Sequence, residues 1–249
     1  MFIYNDMINE ITRDRNFRQV KLMNAKKIAV TNQAEEYLEA IYRSESKVGF
    51  ARTMELSREL GVVPGSITNT IENLERKGLV IHEPYKGVKL TDNGRKIASS
   101  ILRRHRLAER LLTDILHLDW SEVHDPACKL EHAISPELIK PLEKALGHPK
   151  RCPHGNPIPT NCGGIPEEET VALTELDTKT SGVIIKISEE KAETLQQLTK
   201  LKLTPGERVQ IESVVPKGSV TIRVRNESCK IDHTVASIIY VKKSEEVQN

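Results

Sequence analysis

Apolar and polar residues alternate with the period of amphipathic helices in the first third of the chain. Ala34, Leu38 and Ile41 recur at helical spacing, with polar residues between them. The pattern predicts a helix over residues 33–43. Asn32 is expected to be its N-cap, because an acidic residue stands three positions later.

Two short helices separated by a tight turn are predicted next. Thr53 is expected to cap the first, which runs to Leu60, and the second ends at Gly78. Residues 79–90 then have the pattern of a small hairpin with basic residues near its tip. This order of elements is that of a winged helix-turn-helix, in which the second helix of the pair enters the major groove of DNA.

The candidate DNA contacts lie early in that second helix and along the hairpin. Those expected to face base edges are Pro64, Ser66, Thr68 and Asn69, and those expected to bind phosphates are Arg52, Arg76, Lys77, Lys86 and Lys89. The Asn69 amide has the geometry that pairs with adenine. The alternative is a helical protein-binding module or adaptor, which would show no salt-sensitive association with double-stranded DNA.

Three helices with broad apolar stripes are predicted after the hairpin. They cover residues 92–117, 121–134 and 135–147, and a Ser-Pro-Glu sequence opens the last. No sheet is predicted in this part of the chain that could cover the apolar surface of these helices. We therefore expect a two-fold homodimer that matches a pseudo-palindromic double-stranded operator.

Beyond residue 168 the pattern changes to short strands. The predicted strands are 170–173, 182–187, 208–215, 219–225 and 234–241, with one helix at 189–201, which suggests a small barrel. The fold class is therefore α+β and multidomain. Its predicted parts are an N-terminal arm at 1–28, a winged helix at 29–98, a helical dimerisation and metal-binding domain at 99–150, a linker at 151–168 and a barrel at 169–245.

Composition limits the remaining choices. The chain of 249 residues is 38% hydrophobic and 29% charged, without a long uncharged apolar run, so we expect no membrane span and no wholesale disorder. The first residues lack the apolar stretch of a secretory signal, which favours the cytoplasm. With a net charge of only +2, DNA binding would need local placement of basic residues. Four scattered cysteines make a disulfide framework improbable.

The densest set of metal-ligand side chains lies in the helical middle of the chain. His124, Cys128, Glu131 and His132 stand at i, i+4, i+7 and i+8 on one predicted helix, and His105 and Glu109 stand at i, i+4 on the helix before it. Two antiparallel helices could direct these groups at one another, which outlines a divalent metal site. The alternative is that they are solvated side chains and a buried free thiol.

These residues carry a resemblance to a known family. The stretch from His105 to Ser135, the Gly-Asn-Pro-Ile-Pro at 155–159 and the Leu-Glu-Arg-Lys-Gly-Leu-Val at 74–80 resemble the diphtheria-toxin-repressor family of metal-dependent transcriptional regulators. The resemblance covers about residues 31–159 well and the barrel weakly. It implies a winged helix, a dimerising middle domain with two metal sites and an SH3-like (FeoA-like) barrel.

The resemblance also implies roles for single residues. His105, Glu109 and His124 match an ancillary metal site, and Cys128, Glu131 and His132 match a primary site completed by Glu36 on the first helix. Iron-type members usually have Met at that last position and manganese-type members have Asp, so Glu36 departs from both. In some members the barrel lends ligands to the ancillary site. Among Glu189, Glu190 and Glu193, the last two are candidates for this, beside the alternative of an exposed acidic helix face.

The donor set favours Fe(II) as the effector, with Mn(II) second. Cysteine and histidine suit Fe(II), Co(II), Ni(II) and Zn(II), whereas carboxylates suit Mn(II), and we expect Ni(II), Co(II) or Zn(II) to substitute in vitro. An ion held jointly by Glu36 and the middle domain would tie the DNA-binding domain to the dimer domain. The predicted function is a metal-dependent repressor of metal homeostasis genes, with no catalytic residues.

Two further possibilities receive less weight. A metallohydrolase would need an HExxH motif, a nucleophile elbow or an identifiable general base, and the sequence offers none of these. Cys152, His154 and Cys162 in the linker match no standard zinc knuckle, so we do not expect an additional metal site there.

Overall fold

The computed structural model describes residues 30–83, 85–160, 163–165, 168–215 and 218–244. The predicted N-terminal arm, Pro84 of the hairpin turn and Cys162 of the linker lie outside these residues. The described part comprises a winged helix, a helical domain and a small barrel, as predicted, so the fold class is α+β. None of its helices has both the length and the apolar character needed to cross a bilayer.

The winged helix forms the first of these parts. Its elements are α1 (Asn32–Val48), α2 (Thr53–Leu60), α3 (Pro64–Arg76), β1 (Val80–Glu83) and β2 (Gly87–Leu90), and the two strands pair antiparallel. Buried Leu38, Ile41, Leu56, Ile67 and Leu74 form its core. The helical periodicity therefore identified the apolar residues of α1 that are buried.

The two predicted N-caps are wrong by one residue. Thr31 has an extended backbone and its hydroxyl accepts a hydrogen bond from Ala34 N at 3.2 Å, so Thr31, rather than Asn32, caps α1. Arg52 precedes α2 in the same conformation and makes no side-chain cap bond, and Thr53 is already helical. Ala51 pairs with Val88 of β2, which holds the chain extended up to this point.

The helical domain consists of α4 (Asp92–Asp114), α5 (His124–Glu131) and α6 (Pro136–Ala145). Helices α4 and α5 are shorter than predicted, and His132 is the C-cap residue of α5. At the start of α4, a Cβ on Gly94 would lie 1.9 Å from the Leu79 carbonyl oxygen. Glycine therefore lets α4 approach the winged helix closely enough to join the two domains.

The barrel is a six-stranded sheet with the strand order β3-β8-β4-β5-β6-β7, and neighbouring strands are antiparallel. Its elements are β3 (Val171–Ala172), a 3-10 turn (Leu173–Glu175), β4 (Ser181–Ile187), α7 (Ala192–Lys200), β5 (Arg208–Val214), β6 (Ser219–Val224), β7 (Glu227–Asp232), α8 (His233–Ser237) and β8 (Ile239–Lys243).

The end of the barrel differs from the prediction. The predicted strand 234–241 is divided, because residues 233–237 form α8 and only the later residues form β8. Ala236 of α8 is fully buried against the barrel core, so tertiary packing outweighs the β-branched composition of this run. Strand β7 was not predicted because it lies at the sheet edge and buries only Ile231.

Candidate metal centre

His105 lies at the centre of a buried cluster of imidazoles and carboxylates. It is on α4 and is fully buried. Its Nδ1 is 2.7 Å from Glu131 Oε2 on α5, and its Nε2 is 3.1 Å from Glu109 Oε1 one turn along its own helix. Both ring nitrogens therefore face carboxylates.

Among the described residues, four overlapping groups of side chains have ligand atoms that lie within 4.8 Å of one another, and three of these groups contain His105. The groups are His105, His124 and Cys128; His105, Glu109, His124 and Glu190; Glu109, Cys152, His154 and Glu190; and Glu39, His105 and Glu131. They draw on α1, α4, α5, the segment after α6 and the loop between β4 and α7. Residues distant in sequence thus form one polar centre inside the molecule.

The set expected for the ancillary site comes together. His105, Glu109 and His124 share a group, and the barrel adds Glu190, whose Oε2 is 3.1 Å from His124 Nδ1. Glu190 is buried, so the alternative of an exposed acidic face does not describe it. Glu193, the other barrel candidate, is exposed on α7 and is outside these four groups.

The residues expected for the primary site are connected through pairwise contacts, and their ligand atoms do not all converge on one point. Cys128 Sγ lies 3.9 Å from His105 Nδ1 and 3.7 Å from His124 Nε2. His132 Nε2 lies 3.4 Å from Glu131 Oε1 and 3.9 Å from Glu36 Oε1. The Glu36 side chain is 55% exposed, so it stands at the outer edge of the centre, where α1 meets α5.

Two carboxylates of α1 were not among the predicted site residues. Glu39 is buried and forms a group with His105 and Glu131. Glu35 Oε2 is 2.8 Å from His132 Nδ1, and Arg104 donates to its other oxygen at 2.8 Å. Their sequence signal was the run of acidic residues between the apolar positions of the first helix.

The linker contributes more than the sequence indicated. His154 Nδ1 lies 3.2 Å from Glu109 Oε1, and Cys152 Sγ lies 3.9 Å from the same His154 nitrogen. His154 Nε2 donates to the Trp120 carbonyl oxygen at 2.8 Å, which directs Nδ1 toward the cluster. Two of the three linker candidates, Cys152 and His154, therefore belong to a group of metal-ligand side chains.

Hydrogen bonds with charged neighbours set the protonation of the centre. Burial lowers the pKa of His124, but the Cys128 thiol and the carboxylates of Glu109 and Glu190 beside its ring dominate and raise it to about 11. Burial raises the pKa of Cys128, but hydrogen bonds with His105 and His124 bring it below its ordinary value. The pKa of Glu109 is held well below the ordinary value by His105, His124 and His154, against the effect of burial.

Comparisons with known proteins identify the family of each domain. Residues 29–88 match the model of the iron-dependent repressor N-terminal DNA-binding domain, and residues 91–160 match that of the iron-dependent repressor metal-binding and dimerisation domain. Residues 171–243 match the FeoA domain. The iron-dependent repressor IdeR of Mycobacterium tuberculosis H37Rv is 32% identical over 227 residues, which cover 86% of this chain and 98% of that protein. The chain belongs to the iron-dependent repressor family.

Other relatives and solved structures extend the likeness to both iron and manganese regulators. The diphtheria toxin repressor of Corynebacterium glutamicum is 32% identical over 87% of this chain and 98% of its own length. A manganese-dependent transcriptional repressor in complex with manganese is 29% identical, with a TM-score of 0.78 over 85% of this chain and 100% of that one. IdeR of T. acidophilum is 31% identical, with a TM-score of 0.75 over 87% and 99%. The predicted resemblance is confirmed, and this chain is a metal-responsive, DNA-binding transcriptional repressor.

The metal-ligand groups of the repressor fit a divalent ion. Glu109 Oε2 is buried and finds no hydrogen-bond donor among the described residues, although Glu109 contributes to two of the four groups. Burying a carboxylate oxygen without a hydrogen-bond donor is unfavourable in free energy unless a cation binds it. Thiol, imidazole and carboxylate donors together are the set that first-row divalent metals bind.

The DNA-binding domain of the repressor exposes most of the residues predicted to contact DNA. Pro64 is the first residue of α3, and Ser66, Thr68 and Asn69 are exposed, while Ile67 on the opposite face is buried. The Thr68 hydroxyl donates to the Pro64 carbonyl oxygen at 3.2 Å. One face of α3 is therefore open to a partner along its first two turns.

Acidic neighbours partly neutralise the basic candidates. Lys86 and Lys89 Nζ each lie 3.1 Å from a Glu83 oxygen at the base of the hairpin turn. Arg52 is exposed and stacks 5.1 Å from the centre of the Phe50 ring, and Arg76 Nε donates to a carbonyl of its own helix at 3.3 Å. These cations remain at the surface, where exposed ion pairs hold them only weakly.

Proposed function

We propose that the chain is an iron-responsive repressor that binds double-stranded operator DNA as a homodimer in the cytoplasm, with Fe(II) as the effector. The observation that carries this proposal is the junction of α1 with α4 and α5. There, carboxylates of the DNA-binding domain lie within reach of His105, Glu131 and His132 of the helical domain. An effector bound at this junction would touch both domains.

The residues that would hold metal fall into two connected sets. The primary set is Glu36, Cys128, Glu131 and His132, and the ancillary set is His105, Glu109, His124 and Glu190, which Glu39, Cys152 and His154 can extend. A bound divalent cation would supply positive charge and ordered coordination that these carboxylates, imidazoles and thiols otherwise lack. Because the ligands come from the first helix, the helical domain and the barrel, they hold these parts in one arrangement.

The thiol of Cys128 is the donor that favours iron. Its pKa is lowered by neighbouring imidazoles, so a thiolate ligand is available, and thiolates suit Fe(II) better than Mn(II). Mn(II) is the second candidate, because Glu36 and Glu39 add carboxylates to the same junction. Ni(II), Co(II) and Zn(II) would bind in vitro by intrinsic affinity.

Metal and DNA would act on one conformational equilibrium. A ligand shifts such an equilibrium only by its differential affinity for the two states. Glu36 and Glu39 lie on α1, which shares one buried core with α3, the helix that exposes Ser66 and Asn69. Metal would therefore favour the operator-binding arrangement, and operator DNA would tighten metal binding by the same factor.

Anaerobic anisotropy titrations test the proposal. Promoter-length genomic duplexes would be titrated with the protein in the presence of Fe(II), Mn(II) or a chelator, at several salt concentrations. We expect Fe(II) to strengthen salt-sensitive binding. Activation by Mn(II) alone would assign the manganese alternative, and binding that ignores every metal would reject the proposal.

Variants sharpen this test. We expect Cys128→Ala and Glu36→Ala to weaken metal-dependent DNA binding while the fold is retained. Cys229→Ala removes a barrel thiol that is outside the ligand groups, and Glu193→Ala removes an exposed carboxylate, so both should respond to metal as the unmodified protein does. A full metal response in both Cys128→Ala and Glu36→Ala would contradict the assignment of the primary set.

A further inference from the structure

Arg43 joins helix α1 to the barrel through two carboxylates. Its Nη2 and Nε donate to Glu39 Oε1 at 2.7 and 3.1 Å, and its Nη1 donates to Glu190 Oε2 at 2.8 Å. The Arg43 side chain is 25% exposed, whereas those of Glu39 and Glu190 are 9% and 8% exposed. A largely buried cation thus holds one carboxylate of the DNA-binding domain and one of the barrel.

Both carboxylates belong to metal-ligand groups. Glu39 is grouped with His105 and Glu131, and Glu190 contributes to two other groups. Arg43 bonds one oxygen of each carboxylate, so its guanidinium orients both without occupying the second oxygen of either. The planar guanidinium is suited to this, because its donors keep a fixed geometry that a lysine ammonium does not have.

We expect Arg43 to affect docking of the barrel more than an ordinary surface ion pair would, because several carboxylates lie close together here. Four carboxylates, those of Glu39, Glu109, Glu131 and Glu190, contribute to the overlapping groups. Loss of Arg43 would remove the cation that Glu39 and Glu190 share and leave His124 as the charged neighbour of Glu190 alone. The two buried carboxylates would then repel each other, which is unfavourable. Glu190 is the member carried by the barrel, whereas the other three are on helices packed together, so separation of the barrel from α1 is the movement that relieves this repulsion.

We propose that Arg43 is a positioning residue that clamps the barrel onto the DNA-binding domain and orients Glu39 and Glu190 toward the metal centre. Barrel docking and metal loading then depend on the same contacts. This inference rests on the proposed metal-responsive function and extends it, because it makes the barrel part of the switch. Arg43 takes no part in the ligand set itself.

The fluorescence of the single tryptophan of the chain can be used to measure whether the barrel is docked. Trp120 lies in the loop before α5, its Nε1 donates to Thr199 Oγ1 of α7 at 2.8 Å, and its ring packs against the barrel core. Movement of the barrel away from the helical domain would expose the indole to water. Its emission would then shift to longer wavelength, and acrylamide would quench it more strongly.

The test uses the full-length chain in chelator and then with Zn(II), which is spectroscopically silent. In chelator, we expect Arg43→Met to red-shift the Trp120 emission and to enlarge the radius of gyration measured by X-ray scattering. Zn(II) should reverse both changes, because an ion shared by Glu109, His124 and Glu190 replaces the missing cation. Arg43→Lys should show a smaller shift, since it restores the charge without the planar donor geometry that bridges the two carboxylates.

Arg95→Met is the matched control. Arg95 pairs with Glu45 of α1 at 2.6 Å but lies outside the metal-ligand groups, so this variant should keep the Trp120 signal of the unmodified protein. Circular dichroism would verify that each variant is folded.

Three results would overturn the inference: an unchanged Trp120 signal in metal-free Arg43→Met, a shift that Zn(II) does not reverse, or an equal shift in Arg95→Met. The chelator comparison involves neither metal nor DNA. A failure of the proposed function would instead appear as metal-independent DNA binding by the unmodified protein.

Discussion

At the scale of single residues, the centre depends on groups that orient ligands as well as on the ligands. Glu35 accepts hydrogen bonds from His132 Nδ1 and from Arg104, both at 2.8 Å. This arrangement turns His132 Nε2 toward Glu131 and Glu36. Imidazole ligands are usually fixed in this way by a carboxylate on the other ring nitrogen, which selects the tautomer.

We expect Glu35→Gln to weaken metal binding by about 10–100-fold, the usual cost of losing such an orienting partner. The measurement is competition with a chromogenic chelator under anaerobic conditions. Glu45→Gln is the control, because Glu45 is also on α1 and also pairs with an arginine of α4, but away from the centre. Equal metal affinity in the two variants would show that Glu35 does not orient His132.

Proton release should accompany metal binding. Burial lowers the pKa values of His124 and His154, but the neighbouring thiols of Cys128 and Cys152 and the Glu109 carboxylate raise both to about 11, so both imidazoles hold an extra proton at neutral pH. A metal binds only the deprotonated nitrogen, so binding expels these protons and its affinity rises with pH below the pKa values. Calorimetry of Zn(II) binding in buffers of different ionisation enthalpy should therefore give different apparent enthalpies.

His154→Gln provides the control for that measurement. It should release fewer protons than the unmodified protein, because one of the two protonated imidazoles is gone. Apparent enthalpies independent of the buffer would mean that neither imidazole is protonated in the metal-free protein.

At the scale of elements, the sequence identified the helices well but misjudged one face of α1. The spacing of Leu38 and Ile41 located the helix, and both are buried as expected. The contacts of Glu35, Glu39 and Arg43 could not be predicted in this way. Periodicity shows that a helix face is polar but not which residues pack against it. Their partners come from α4, α5 and the barrel, which are distant in sequence.

The same limit applies to Cys152 and His154. Their spacing gave no metal motif, and their partner carboxylates, Glu109 and Glu190, are supplied by two other domains. By contrast, His105, Glu109 and His124 were grouped from the sequence. Helical spacing and family resemblance both carried that information, since two of the three lie one turn apart on α4.

Helix α3 and the hairpin should contribute differently to DNA binding. Asn69 is exposed on α3, where its amide can pair with a base, so Asn69→Ala should cost about 1–3 kcal/mol on the preferred operator and relax its specificity. Lys86→Ala should weaken binding to all duplexes alike and reduce the salt slope by about 1. Anisotropy titrations with matched and mutated operators distinguish the two. A change in specificity for Lys86→Ala and none for Asn69→Ala would reverse these roles.

At the scale of the whole molecule, the helical domain has an apolar surface that the described part of the chain does not cover. Ile115, Leu116, Leu118 and Leu138 are exposed large apolar residues at the end of α4 and on α6. Large exposed apolar surface of this kind is typical of a site that binds a partner. Since this domain matches the dimerisation domain of the family, its apolar end is the surface we expect a second copy to bury.

Leu138→Glu should therefore give a folded monomer. Burying an unpaired carboxylate at the interface is strongly unfavourable, whereas the monomer already exposes 52% of Leu138 and can tolerate the charge. Sedimentation velocity should show loss of the dimer, and operator affinity should fall, because a monomer contacts one half-site. Val215→Glu is a close control, since Val215 is also 52% exposed but lies on the barrel. If Leu138→Glu remained dimeric, the two-fold interface would have to lie on another surface. DNA affinity would then depend on a different pairing of the two winged helices.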